Sequence, residues 1–220
     1  MEVKILGNHH SIFDEYLAEI RDSSIQKDPM RFRENLYRLG ELFAYEISKE
    51  LKYKVTEVTT PLGVARVPKL EKQPVLATIL RAGLPMHNGL LKIFDRAENC
   101  FISAFRKYNE NGGFEIAFEY IASPLLNDKV VILSDPMLAS GKSMKISYEA
   151  LLKKGKPEHI HLASIIASRQ GVEYVAEKIQ DENVTLWLGA VDEGMTSKSY
   201  IVPGLGDAGD LAYGETSGFH

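Results

Sequence analysis

The sequence holds one cysteine in 220 residues. A lone thiol builds no disulfide framework, and Cys100 stands inside the apolar run CFISAF, where it reads as a core residue. No stretch approaches the ~20 consecutive apolar residues that a membrane-spanning helix needs. The opening segment, MEVKILGNHHSIFDEYL, has neither the basic flank nor the long apolar run of a secretory signal, so the expected setting is cytoplasmic and reducing. Positive charge is not in excess: 26 Lys and Arg face 30 Asp and Glu, a formal net charge of −4. That balance argues against a nucleic-acid partner, while leaving room for a few arginines to hold one small anion. Repeats, low-complexity tracts and linkers are also missing. With 45% hydrophobic and 25% charged residues, the chain can bury a sizeable core and reads as one domain, residues 1–220.

The first third has helical period. Asp28-Pro29 supplies a capping carboxylate followed by proline at the first helical position. Beyond it Phe32, Leu36, Leu39, Phe43 and Ile47 recur at spacings of three and four, which gives one apolar face. A shorter helix is expected around Ile12 to Ile20. From Lys52 the pattern changes to short β-branched runs, beginning with KVTEVTT. Compact apolar runs follow at 75–80, 100–105, 129–133, 159–167 and 184–191. Helical segments lie between most of them, at 143–154 and 171–180 for example. Strands apolar on both faces, alternating with helices, predict an α/β fold: a mainly parallel central sheet flanked by helices, with N-terminal helices added. Phe114, Ile116, Phe118 and Tyr120 alternate with polar or small residues, which predicts a half-buried strand in a small β-hairpin beside the main sheet.

In such sheets ligands bind beyond the carboxyl ends of the strands. After the run ending at Leu133 comes Ser134-Asp-Pro-Met-Leu-Ala-Ser-Gly-Lys-Ser143, then a helix. Unpaired N–H groups at that helix start, with the hydroxyls of Ser140 and Ser143, form either an anion site or an ordinary Ser-capped terminus. Lys142 in the first turn opposes the helix dipole unless an anion is bound. A P-loop would need glycine where Pro136 stands, so a nucleotide kinase is the weaker reading. Leu80-Arg-Ala-Gly83, before a helix started by Pro85, offers the Arg81 fork to an anion, and Arg106 follows another strand in the same way. The segment Tyr200-Ile-Val-Pro-Gly-Leu-Gly-Asp-Ala-Gly-Asp210 carries three glycines and a proline in eleven residues. Its glycines and proline are expected to exclude regular structure, and its apolar residues suit a packed loop that presents backbone groups to a flat ligand.

Over nearly its full length the chain resembles the uracil phosphoribosyltransferase family. The motifs that carry the resemblance are ILRAG at Ile79 to Gly83, DPMLASGKS at Asp135 to Ser143, and YIVPGLGDAGD at Tyr200 to Asp210. Supporting matches are Ile20-Arg-Asp22, Ala44-Tyr-Glu46, Thr60-Pro-Leu-Gly63 and Val191-Asp-Glu-Gly194. The resemblance implies transfer of a phosphoribosyl group from phosphoribosyl pyrophosphate to uracil, with Mg²⁺ as cofactor and a homodimer or higher homo-oligomer as the assembly. By the same resemblance, Asp135, Pro136, Met137, Leu138, Ala139, Ser140, Gly141, Lys142 and Ser143 would hold the phosphoribosyl part. Arg81 and Arg106 would take the pyrophosphate. Tyr200, Ile201, Gly206, Asp207 and Ala208 would meet uracil, with Asp207 also reaching the sugar pyrophosphate and its magnesium. A cis peptide next to Arg81 is implied too. Three departures stand out: Ser140 and Lys142 in the phosphate loop, the KYNENGGFEIAFEY stretch after Arg106, and Leu211 where the family usually has Arg. Some members are activated by GTP, a property these motifs do not carry.

Attack by uracil N1 at the anomeric carbon needs no side-chain nucleophile, and the six histidines, His9, His10, His159 and His161 among them, read as surface or strand residues. Because a Gly-rich loop is expected to gain little stability from one carboxylate, Asp207→Asn should lower turnover and leave the fold intact. Competing readings are another phosphoribosyltransferase of purine or orotate type, and a non-catalytic regulator that senses phosphoribosyl pyrophosphate.

Overall fold

A computed structural model describes residues 1–108 and 114–215, with the side chains of 104–119 left out of the description. In chain order the elements are strand β1 (Glu2–Ile5), a 3₁₀ turn, and helices α1 (Ile12–Arg21) and α2 (Pro29–Ser48). Next come β2 (Tyr53–Thr60), β3 (Gly63–Leu70), β4 (Val75–Leu80), α3 (Leu84–Ile93), β5 (Glu98–Tyr108) and β6 (Phe114–Ala122). The remainder comprises β7 (Val130–Ser134), β8 (Met137–Leu138), α4 (Lys142–Leu152), β9 (His159–Ser168), α5 (Arg169–Lys178), β10 (Val184–Asp192), β11 (Gly194–Met195), β12 (Ile201–Val202) and α6 (Ala208–Tyr213).

Helices α1 and α2 start where their sequences say they should, whereas α5 begins two residues before the expected 171. Asp28 accepts the N–H groups of Met30 and Arg31, and Pro29 occupies the first turn of α2, where its missing N–H costs nothing. Ser11 and Asp14 form a reciprocal capping box at α1. Phe32, Leu36, Leu39, Phe43 and Ile47 are all buried, so the spacing of three and four did mark the inward face of α2.

The main sheet has eight strands in the order β1-β10-β9-β7-β4-β5-β6, with β8 pairing beyond β7 on β9. All its pairings are parallel except β5 with β6. Phe114–Ala122 is therefore an antiparallel edge strand inside the main sheet, where the sequence suggested a hairpin beside it; of its alternating residues Tyr120 is exposed, and the side chains of Phe114, Ile116 and Phe118 fall outside the described residues. The separate hairpin is β2–β3, a two-stranded sheet of its own. Apolar side chains cover both faces of the main sheet, as expected of parallel strands. One face carries Phe13, Ile20, Leu36, Phe43, Met86 and Leu90 beneath α1, α2 and α3. The other carries Val131, Leu133, Met144, Leu151 and Val175 beneath α4 and α5. Cys100 is buried and free.

The strand order reverses at the β4/β7 boundary. From β4 the chain moves to β5 on one side, and then returns to β7 on the other. The connections leaving β4 and β7 diverge towards α3 and α4 on opposite faces and open a crevice, the place where α/β sheets bind ligands. Arg81 follows β4 and Asp135 follows β7.

Candidate active site

The connection after β7 is fixed mainly through its backbone. The Asp135 N–H donates to the Ala163 carbonyl at 3.0 Å, and the Pro136 carbonyl accepts from Ile165 at 3.2 Å and Ile166 at 3.0 Å. Asp135 Oδ1 accepts the Met137 N–H at 3.2 Å. The Ser168 hydroxyl donates to the Ala139 carbonyl at 2.6 Å and accepts the Gly171 N–H at 2.9 Å, which ties the loop to the start of α5. Gly141 has φ of +75°, and a Cβ there would lie 2.9 Å from the Gly171 carbonyl oxygen, so the turn into α4 requires glycine on conformation and space alike. Among the described residues no side chain caps α4. Gly141 and Ser143 line the pocket, so the start of α4, with its dipole, borders it as a seat suited to a phosphate.

The C-terminal segment is less irregular than its glycines suggested. β12 pairs with β11, with Met195 opposite Ile201, and Asp207 starts helix α6 by accepting the N–H groups of Gly209 at 2.9 Å and Asp210 at 3.0 Å through Oδ1. Asp207 is an N-cap, so the expectation that its carboxylate adds little stability is corrected; asparagine caps almost as well, and alanine does not. A cis Val202–Pro203 bond and positive φ at Gly204 (+55°) and Gly206 (+94°) shape the bend between. Arg33 donates to the Ala212 carbonyl at 2.6 Å, a cation set at the C-terminal end of α6.

One pocket joins these two segments. It is lined by Asp135, Met137, Leu138, Ala139, Ser140, Gly141 and Ser143 from one side, and by Tyr200, Ile201, Gly206, Asp207 and Ala208 from the other. The sequence missed Ala82, Met144, Ser199 and Gly209, which also line it. Ala82 and Gly209 lie inside quoted motifs, and Met144 and Ser199 adjoin them, so all four were within reach; the positive φ of Ser199, +61°, had no signal in the sequence. Pro136 does not line the pocket; it is buried, with its carbonyl bonded to β9. Lys142 is exposed on the first turn of α4 and is likewise outside the lining. Arg81 stands at the rim after a cis Leu80–Arg81 bond, its Nη2 donating to Asp210 Oδ1 at 3.0 Å and its Nη1 to the Gly214 carbonyl at 3.3 Å. Arg106 falls in β5, and its side chain is outside the described residues.

Burial pushes the Asp135 carboxyl up to about 7, with the Met137 N–H opposing that rise and the Asp207 charge adding to it. The residue keeps some exposed surface at the pocket, yet its carboxyl group is enclosed by protein. Two acidic groups therefore share one mouth, where a ligand hydroxyl or a cation would relieve them. Among the described residues no group of three or more His, Cys, Asp or Glu is arranged to hold a metal. His161 accepts the Trp187 indole N–H at 3.0 Å and, chiefly through burial, is pushed down to about 3; it is a neutral strand residue, as expected. His9 and His10 are exposed.

A strand-end carboxylate beside an uncapped helix start, at the switch point of a parallel sheet, belongs to α/β proteins that hold a phosphate-bearing ligand above the strands. Known proteins narrow that class. A sequence model described as uracil phosphoribosyltransferase matches residues 7–215. A protein of that name from Porphyromonas gingivalis is 56% identical over 98% of this chain and 99% of its own length. Another from Methanothermobacter thermautotrophicus is 38% identical over 99% and 97%. The solved structure of the AQ2163 protein from Aquifex aeolicus superposes with a TM-score of 0.84 at 30% identity, covering 98% of this chain and 99% of that one. The chain belongs to the uracil phosphoribosyltransferase family.

Proposed function

We propose that this chain transfers the 5-phosphoribosyl group from phosphoribosyl pyrophosphate to N1 of uracil, giving UMP and pyrophosphate. The observation that carries the reading is the pocket itself, in which the Asp135–Ser143 loop faces the Tyr200–Ala208 segment. Residues 1–220 act as one phosphoribosyltransferase domain. The α4 start, with Ser140 and Ser143, takes the 5′-phosphate, and Asp135 accepts from the ribose hydroxyls. Backbone groups of Ile201, Gly206 and Ala208, beside Tyr200, select the base.

Displacement at the anomeric carbon builds positive charge on the sugar and negative charge on the leaving pyrophosphate. Arg81 and Arg106 bind the leaving group, and Arg81 exchanges its Asp210 partner for phosphate oxygens. Asp207 lines the pocket with Oδ1 held by the α6 cap. One or two carboxylates completed by substrate oxygens is a donor set that suits Mg²⁺, so Asp207 fits as a ligand to substrate-borne magnesium, directly or through water. Bound Mg²⁺ would neutralise charge on the departing pyrophosphate.

A homo-oligomer is the assembly favoured by β2–β3. Val55, Val64 and Leu62 are 57%, 65% and 100% exposed, on a two-stranded hairpin of a kind that is marginal in water by itself. No helix among the described residues is long and apolar enough to cross a membrane. A single buried thiol supports the cytoplasm as the setting.

The test is nucleotide formation from Mg²⁺, phosphoribosyl pyrophosphate and, separately, uracil, cytosine, hypoxanthine or orotate. Uracil offers an N3 donor and an O4 acceptor, and cytosine inverts both, so cytosine should be slower by as much as ~10⁴-fold. Comparable use of both bases would refute the assignment of the 201–208 segment to the base. Binding of the sugar pyrophosphate with no nucleotide from any base would point to a regulator instead.

A further inference from the structure

Two charged residues outside the pocket converge on one glycine of the base segment. Arg21, at the end of α1, forks onto Asp192 at the end of β10, Nη1 to Oδ2 and Nη2 to Oδ1, both at 2.8 Å. The same Nη1 also donates to the Gly204 carbonyl at 3.0 Å, and Asp192 Oδ2 accepts the Gly204 N–H at 2.9 Å. Side-chain exposure is 23% for Arg21 and 8% for Asp192, so water competes little for these bonds. Gln26 steadies the arrangement from below, donating to the carbonyls of Ile20 at 3.2 Å and Arg21 at 3.1 Å. Gly204 itself has φ of +55°, and a Cβ there would sit 2.2 Å from the Ile201 carbonyl oxygen.

We infer that Arg21 and Asp192 are positioning residues for the base: by engaging both backbone groups of Gly204 they set where Ile201 and Gly206 meet uracil. Neither residue lines the pocket, so the effect passes through the loop, and the inference rests on the assignment of that loop to uracil. A tie serving only to join α1 to β10 would need the fork alone. Here both partners make a further hydrogen bond, and both go to Gly204, in the stretch between the pocket-lining Ile201 and Gly206. Because the phosphate loop is anchored on β9 and α5, loss of the pair should misplace the base and leave the sugar phosphate where it was.

The experiment is steady-state kinetics of the full chain and its Arg21→Ala, Arg21→Lys and Asp192→Asn variants, varying uracil and the sugar pyrophosphate in turn, alongside thermal melting. For Arg21→Ala the KM for uracil should rise roughly 10- to 100-fold, with the KM for phosphoribosyl pyrophosphate and kcat each moving less than about threefold. Arg21→Lys keeps the charge without the fork and should fall between, and free guanidinium added to Arg21→Ala should recover part of the uracil affinity. If Arg21→Ala does not fold, Arg21→Lys and Asp192→Asn carry the same comparison. An unchanged KM for uracil, or equal losses for both substrates tracking the melting temperature, would show a merely structural tie and overturn the inference. A wild-type chain that forms no UMP removes the uracil-site reading, and the positioning role with it.

Discussion

The loop from Asp135 to Gly141 and the loop from Ile201 to Asp207 face each other across one pocket, yet different forces fix them. The first is held by backbone hydrogen bonds to β9, one serine hydroxyl and close glycine packing on α5. The second is held at Gly204 by charged side chains brought from far along the chain, Arg21 and, 171 residues later, its partner Asp192, while Arg33 holds the end of the following helix at Ala212. A backbone-fixed loop is broken by added volume, and a charge-fixed loop by altered charge or pH. The contrast suits the two tasks, because a phosphate needs a rigid cluster of N–H groups, whereas a flat base is read by the exact placement of a few of them.

Asp207 belongs to both sides of the contrast and should show the largest effect. In Asp207→Asn the side chain still caps α6, so melting should stay within about 0.5 kcal/mol of wild type, while turnover falls by about 10²- to 10³-fold. Asp207→Ala should lose the same activity and also about 1 kcal/mol of stability, as a lost cap does. Chemical denaturation beside initial rates separates the two. Near-normal turnover in the asparagine variant would take Asp207 out of the chemistry and leave it a cap.

Adding one methyl group to the phosphate side comes next. A Cβ on Gly171 would lie 2.3 Å from the Ala139 carbonyl oxygen and 2.6 Å from that of Leu138. In an ordinary helix Gly→Ala raises stability by up to about 1 kcal/mol. Here Gly171→Ala should instead push the loop away from α5 and lower kcat/KM for phosphoribosyl pyrophosphate by about 10²-fold. The KM for uracil should hardly move. If both substrates suffer equally, the two loops are coupled and the contrast between them fails.

Much of the phosphate side was legible locally. A strand end, a carboxylate and a small-residue turn before a helix are consecutive in sequence, and the structure places Asp135, Ser140 and Ser143 together as that order implied. The apolar runs matched β4 at both ends and β7, β9 and β10 to within one residue, for the same reason. The base side was legible from its residues only as a packed loop for a flat ligand, and the identity of that ligand came from the resemblance. Its glycines hid a short helix, since the cap that starts α6 is a single aspartate, and its anchors at Arg21 and Asp192 carry no local pattern that links them. β1 was missed on similar grounds: Glu2 and Lys4 make a polar edge strand whose partner, β10, lies near the other end of the chain.

The smallest effect uses pH, because a carboxyl of the first loop and the carboxyl that anchors the second are perturbed in opposite directions. At Asp135 enclosure raises the pKa to about 7 from an ordinary 3.8. The native state then binds more protons than the unfolded chain between those values, so this group makes stability fall as pH rises through that window. At Asp192 burial opposes ionisation, but the Arg21 fork and the Gly204 N–H outweigh it and hold the carboxyl below 3.8. Its contribution is present above 3.8 and is lost as pH falls through the depressed value. Each group can change stability by at most about 1.4 kcal/mol per pH unit. Denaturation midpoints of the ligand-free protein from pH 3 to 8 should therefore show two limbs. Asp135→Asn should flatten the fall from weakly acidic to neutral pH and leave the acid limb, and Asp192→Asn should weaken the acid limb alone. Binding of a ribose whose hydroxyls donate to Asp135 favours the ionised form, so saturating phosphoribosyl pyrophosphate should flatten the upper limb in the wild type as well. An upper limb that persists with the ligand bound would mean that the sugar hydroxyls do not reach Asp135.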